Sequence, residues 1–160
     1  MLTRFLHIIL ISLISTATTG QVLLDTTKLW STLEIHCFPW GNNYSTSYLK
    51  LSGDTVINSH TYKIFHICND ESLSNWELHG GLIRETDDGK VYYRRMFEEE
   101  DGLVYDFNAE EGDTLEVFNY QIMFEPVTMV VVEIDSILTY DGYKKRLHLE
   151  SPSYPDGETW

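Results

Sequence analysis

The sequence predicts an all-β protein, an antiparallel meander of about nine or ten strands that forms a barrel or a bent sandwich. Three observations predict it. From Trp30 onward apolar residues recur with a period of two, and Gly, Asp, Asn and Pro interrupt them every eight to twelve positions or so. Past the first twenty residues or so, no long window keeps the 3.6-residue period of an amphipathic helix.

The elements follow in order. Leu33, Ile35 and Cys37 alternate with Glu34 and His36, which predicts a first strand ended by Pro39 and a Gly41-Asn42-Asn43 turn. Tyr48 to Leu51 begins a second, stopped at Gly53-Asp54. Val56-Ile57 and Thr61 to Cys68 make a hairpin around Asn58-Ser59, and Trp76 to Thr86 makes a strand bent or bulged at Gly80-Gly81. The clearest hairpin is Asp87-Asp88-Gly89-Lys90, where Asp-Gly accepts the positive φ of a tight turn, and Val91 to Phe97 returns from it. The acidic run Glu98 to Asp101 reads as a solvated loop, and Leu103, Tyr105 and Phe107 read as one face of the next strand. Thr114 to Phe124 follows Gly112-Asp113, and Pro126 breaks the chain before Val127 to Leu138. The run Met129-Val130-Val131-Val132 predicts burial on both faces there. Asp141-Gly142 then turns into Tyr143 to Glu150.

The chain opens with a basic Met1 to Arg4, an apolar Phe5 to Ser15 and small residues to Gly20, the plan of a secretory signal peptide cut before Gln21. The apolar run is about half the roughly 20 residues that a membrane-spanning helix needs. Residues 1–20 are thus expected to be a leader, 21–150 a single β domain, and 151–160, with Pro152, Pro155 and Gly157, an irregular and truncated tail. The whole chain carries a net charge of −14. Such a surface repels phosphate backbones and anionic headgroups, so no nucleic-acid partner and no membrane span are expected. Cys37 and Cys68 sit in a disulfide-permitting compartment, and two readings stay open: one bridge, or two independent thiols.

Chemistry-bearing constellations are sparse. His36-Cys37 and His66-x-Cys68 hold ligand types for a soft metal, but alternation turns His36 away from Cys37, so no metal site, catalytic residue or cofactor is assigned. The carboxylates at Asp87-Asp88 and Glu98 to Asp101 lie in turns, where solvation explains them. Trp30, Trp40, Trp76 and ten tyrosines supply material for a stacking platform, or simply for a core.

Gly53-Asp54-Thr55-Val56-Ile57-Asn58 with Thr61-Tyr62-Lys63 resembles a hairpin block of secreted Bacteroidota proteins. The likeness continues through Ile83-Arg84-Glu85, Asp88 to Tyr93, Leu103 to Phe107, Glu111 to Thr114, Ile134 to Ile137 and Tyr143 to Leu149. The family is an uncharacterised extracellular module found N-terminal to type IX secretion sorting domains. This chain is similar to a truncated member without the sorting domain, and it has Ser59 where the family tends to have Gly. The resemblance implies a secreted or cell-surface location, periplasmic if type IX export fails, with an extracellular partner or ligand of unknown kind. It also implies O-glycosylation at Asp-Thr/Ser signals, which here are Thr26, Thr55, Thr114 and Ser136. Asn43-Tyr44-Ser45 fits the eukaryotic N-glycan pattern, which a bacterial source leaves idle.

The first functional expectation is a non-enzymatic extracellular or surface β module. The alternative is a barrel holding a small apolar or sugar ligand, which requires an internal cavity lined by Tyr, Trp and Phe. A hydrolase using turn carboxylates is the long shot.

Overall fold

The computed structural model describes residues 24–118, 126–140, 142–152 and 154–160. The leader and its cleavage site, the Phe124 end of one expected strand, and Asp141 of the last hairpin lie outside them. Among the described residues there are ten strands and no helix, with 69% of those residues in strands. They are β1 Leu29–Phe38, β2 Gly41–Ile57, β3 His60–Cys68, β4 Glu77–Glu85, β5 Lys90–Arg95, β6 Gly102–Asp106, β7 Thr114–Val117, β8 Val127–Thr139, β9 Gly142–Ser151 and β10 Tyr154–Thr159.

Every pairing is antiparallel and every neighbour is the next strand in sequence. β1 to β6 form one curled sheet and β7 to β10 a second, so the all-β meander is what the chain adopts. The Phe118 amide donates to the Leu103 carbonyl at 2.8 Å, bridging the edge of the first sheet to the edge of the second. Lys145 of β9 ties the two sheets again, its ammonium donating to the carbonyls of Phe107 and Ala109 at 3.1 and 2.7 Å.

Each sheet has its own apolar cluster. Ala109, Val117, Val127, Met129, Val131, Leu147 and Leu149 are buried together on the four-stranded sheet. On the six-stranded sheet only Leu51, Ile83 and Val91 are buried as a cluster, ringed by half-buried Leu24, Trp30, Phe65, Val104, Tyr105 and Phe107. The clusters meet where Tyr105 and Trp160 touch edge to face, ring centroids 5.4 Å apart.

Several local expectations are corrected. Gly53-Asp54 does not stop a strand: β2 runs through it, absorbing it as a bulge between Leu51 and Asp54. The first turn is Pro39-Trp40, so Gly41 already opens β2. Met129 and Val131 are buried while Thr128 and Val132 are exposed, so β8 buries one face rather than two. Tyr105 and Phe107 share a face as expected, but Leu103 does not: a register shift beside Val91 and Tyr92 turns Val104 and Tyr105 to the same side. By contrast the Gly80-Gly81 bend stands at a register shift of the β3–β4 pair, and Asn58 and Ser59 form the β2–β3 turn with φ of 49° and 67°.

The largest correction is at the C-terminal end. Residues 151–160 are not an irregular tail: Ser151 ends β9, and β10 pairs back on it through Tyr154–Ser151, Glu158–Leu149 and Thr159–His148. Trp160 and Leu147 exchange both backbone hydrogen bonds at 2.9 Å, and the indole packs on the four-stranded core. The prolines and Gly157 read as breakers because a central strand rejects them. An edge strand with a register shift accepts them.

Candidate functional site

The two sheets do not close on each other completely. Between them lies an open cleft of about 550 Å³, within the size range of small-molecule sites. Leu49 of β2, Phe65 of β3, Ile83 of β4 and Val104 and Tyr105 of β6 line it from the six-stranded sheet, together with Val117 of β7 and Phe118. His79, Tyr93, Tyr105 and Glu158 bring polar side-chain atoms to it. Ile83 and Val117 are buried, the aromatic residues half-buried and His79 exposed, so the lining runs from apolar depth to a polar mouth.

Two glycines seat the rings. A Cβ on Gly81 would collide with the Tyr93 ring, and one on Gly102 would collide with the Phe118 ring. Tyr93 pairs with Gly102 on one side and with Ile83 on the other, and Gly81 lies one diagonal step away on the same face. The ring therefore lies flat over a bare stretch of backbone, a cross-strand arrangement that only glycine permits. Phe65 sits 6.1 Å from Tyr93 in a tilted contact, and Tyr105 stacks on Phe107 at 5.7 Å.

The surroundings keep the two tyrosines of this lining un-ionised. Burial raises the Tyr93 phenol, with Glu98 adding to it against Arg95. Burial likewise raises Tyr105, helped by the nearby Glu158 carboxylate. Both hydroxyls thus remain hydrogen-bond donors throughout the physiological range. Glu158 accepts a hydrogen bond from the Trp160 indole at 3.1 Å, which fixes the cleft's carboxylate to the last residue of the chain.

The opposite face of the six-stranded sheet carries a different group. Alternation turns Arg84 away from Ile83 and Tyr92 away from Tyr93. There the Asp101 carboxylate accepts from Arg84 Nε at 2.6 Å and from the Tyr62 hydroxyl at 2.7 Å, and the guanidinium lies 4.0 Å over the Tyr92 ring. Burial alone would raise the Asp101 carboxyl, but the two hydrogen bonds and the charge of Arg84 outweigh it and hold the group below its ordinary value. Burial pushes Tyr62 up, and its bond to Asp101 pushes it further. Asp101 is therefore not part of a solvated loop: it is the half-buried anchor that pins the start of β6 to β3 and β4.

The residues singled out in the sequence do not converge. Cys37 pairs with Asn42 and Cys68 with Tyr48 on β2, six residues apart along one strand or roughly 20 Å. A disulfide needs Cα atoms within about 7 Å, so the two thiols are free, Cys37 exposed and Cys68 buried. The same separation parts His36-Cys37 from His66-Cys68, and His36 instead pairs with Glu34 at 3.5 Å. Among the described residues no three His, Cys, Asp or Glu side chains are placed to hold a metal ion. Thr26, Thr114 and Ser136 are exposed and Thr55 half-buried, and none of the four lines the cleft. Their aspartates have structural partners: Asp25 accepts from the Thr27 amide and hydroxyl, Asp54 pairs with Lys63, Asp113 accepts from the Glu110 amide, and Asp135 pairs with Arg146. The tryptophans form no platform. Trp40 is exposed at the β1–β2 tip, Trp30 packs on the core, and Trp76 lies under the Lys50 ammonium at 3.9 Å.

No protein-family model matches the chain, and neither a curated protein nor a solved structure matches it.

Proposed function

We propose that the protein is a non-enzymatic extracellular or surface β module that binds a small, predominantly apolar ligand in the cleft between its two sheets. The observation that carries the reading is the cleft itself, walled by Phe65, Tyr93, Tyr105 and Phe118, with polar side-chain groups at Tyr93, Tyr105, His79 and Glu158. Apolar walls with a few convergent polar groups are what small-ligand sites use for affinity and orientation respectively. The Tyr93 and Phe118 rings are held over glycine backbone, and such preorganisation lowers the ordering cost of binding. The leader and the resemblance to secreted modules support the extracellular setting.

The test is a titration with the neutral fluorophore N-phenyl-1-naphthylamine, with aryl glycosides in a parallel arm. Enhancement with the fluorophore is expected, and Val104→Trp, which fills the cleft from β6, is expected to abolish it while leaving the circular-dichroism spectrum unchanged. Binding that survives Val104→Trp, or the absence of binding in both arms, would overturn the proposal; binding of the glycosides alone would move the ligand class to sugars.

A further inference from the structure

The β1–β2 hairpin outruns the rest of its sheet. β3 joins β2 only from Tyr48, opposite Cys68, so Thr32–Phe38 and Gly41–Ser47 pair with each other alone. A two-stranded ribbon is marginal in water unless something covers a face or an edge. Here one face carries Leu33, Ile35 and Tyr44, which are 59%, 52% and 59% exposed, with Ile35 directly opposite Tyr44. The opposite face carries Glu34, His36, Asn43 and Ser45.

The outer edge of β1 ends the six-stranded sheet, and among the described residues no strand pairs with it. Natural edges are guarded by Lys, Pro, bulges or inward charges. Ser31-Thr32-Leu33-Glu34-Ile35-His36-Cys37 contains no Lys and no Pro, and its ladder with β2 runs without a register shift. In a chain of net charge −14 this segment carries one carboxylate and one histidine.

The strand is also self-complementary. In a two-fold antiparallel pairing centred on Ile35, residues whose numbers sum to 70 face each other, so Glu34 of each copy meets His36 of the other. Leu33 meets Cys37, and Ile35 meets Ile35, giving a four-strand apolar row of Tyr44, Ile35, Ile35 and Tyr44. Centring on Glu34 instead would set two carboxylates opposite one another, which cross-strand energetics disfavour. We propose that the β1 edge is the contact between two copies of this chain, forming a continuous twelve-stranded sheet through this register. An isologous contact of this kind closes on itself, which leaves no free β1 edge for further growth.

Sedimentation velocity across a concentration series tests it. A reversible monomer–dimer equilibrium is expected. Ile35→Lys should leave a monomer with an unchanged circular-dichroism spectrum. Glu34→Lys, which removes the carboxylate facing His36 at both symmetric positions, should weaken the dimer about tenfold, and the double swap Glu34→Lys with His36→Glu, which restores a cation opposite a carboxylate, should recover it. Leu33→Cys should cross-link two copies through Cys37 under mild oxidation. A protein that stays monomeric at every concentration, a dimer indifferent to Ile35→Lys, or a double swap that fails to restore association would overturn the proposal.

Discussion

The four-stranded and six-stranded sheets are built from the same alternating pattern, yet one buries its apolar face and the other leaves it partly open. Six residues of β7 to β9 and Ala109 of the β6–β7 connection form a sealed cluster, with Val131 and Leu147 at 0% exposure. On β1 to β6, the comparable cluster has three members, and the aromatic side chains around it are only half covered. The four-stranded sheet is held together by its core. The six-stranded sheet relies in addition on the polar anchor of Tyr62, Asp101 and Arg84 on its opposite face. A face stabilised from behind can leave its front available to a ligand.

Truncation at the sealed core should have the largest effect. Leu147→Ala removes a fully buried side chain from the middle of the four-stranded sheet and is expected to cost about 4 kcal/mol in urea unfolding. Phe65→Ala, in the half-open cleft, should cost about 2 kcal/mol despite deleting a larger side chain, because water already reaches part of the ring. Equal losses at the two sites would remove the distinction between a closed and an open face.

The anchor comes next. Arg84 and Asp101 side chains are 12% and 18% exposed, so Asp101→Asn leaves a largely buried guanidinium without its counter-charge and should cost about 3 kcal/mol at neutral pH. The folded carboxyl lies below its unfolded value of about 3.9. Its contribution is therefore fully present above that value and fades as pH falls through the lower, folded value. Stability measured between pH 7 and pH 2 should consequently fall less steeply in Asp101→Asn than in the parent. An identical acid slope would mean that the carboxylate does not feel Arg84.

These residues also mark how far the sequence could be read. Period-two alternation and turn residues are local, so the strand meander and hairpins such as Asp88-Gly89 were legible. The cleft was not, because Phe65, Tyr93, Tyr105 and Phe118 come from separate parts of the chain and meet only when the sheets curl. Gly81 and Gly102 were visible as a bend and a loop end, but nothing local says that a ring from another strand lies over each. Asp101 looked like one more acid in a run of four, since its partners Tyr62 and Arg84 are 39 and 17 residues away. The strand at 154–159 was hidden for a related reason: its pairing is supplied by β9 and its anchor by Trp160, and both outweigh an unfavourable composition.

The smallest expected effect concerns backbone strain, and it separates the two sheets again. Among the described residues the three non-glycine positions with positive φ, Asn58, Ser59 and Leu73, all lie in connections of the six-stranded sheet. Asn tolerates the left-handed region because its short side chain bonds locally, but Ser59, at 67°, pays a steric penalty that glycine does not. Asn58 and Ser59 both have positive φ, the geometry of the two-residue hairpin turn for which Asn-Gly is preferred. Ser59 is exposed and β2 and β3 pair on either side of it without interruption from Ile57–His60 to Asp54–Lys63. Ser59→Gly should thus relieve strain without disturbing a contact, although the more flexible unfolded chain offsets part of the gain. A net stabilisation of about 0.5 kcal/mol is expected, read as a higher urea midpoint at unchanged slope, with ligand binding in the distant cleft unaltered. A lower midpoint would show that Ser59 is held in that conformation by a favourable interaction of its own, and that the six-stranded sheet does not carry its strain at this turn.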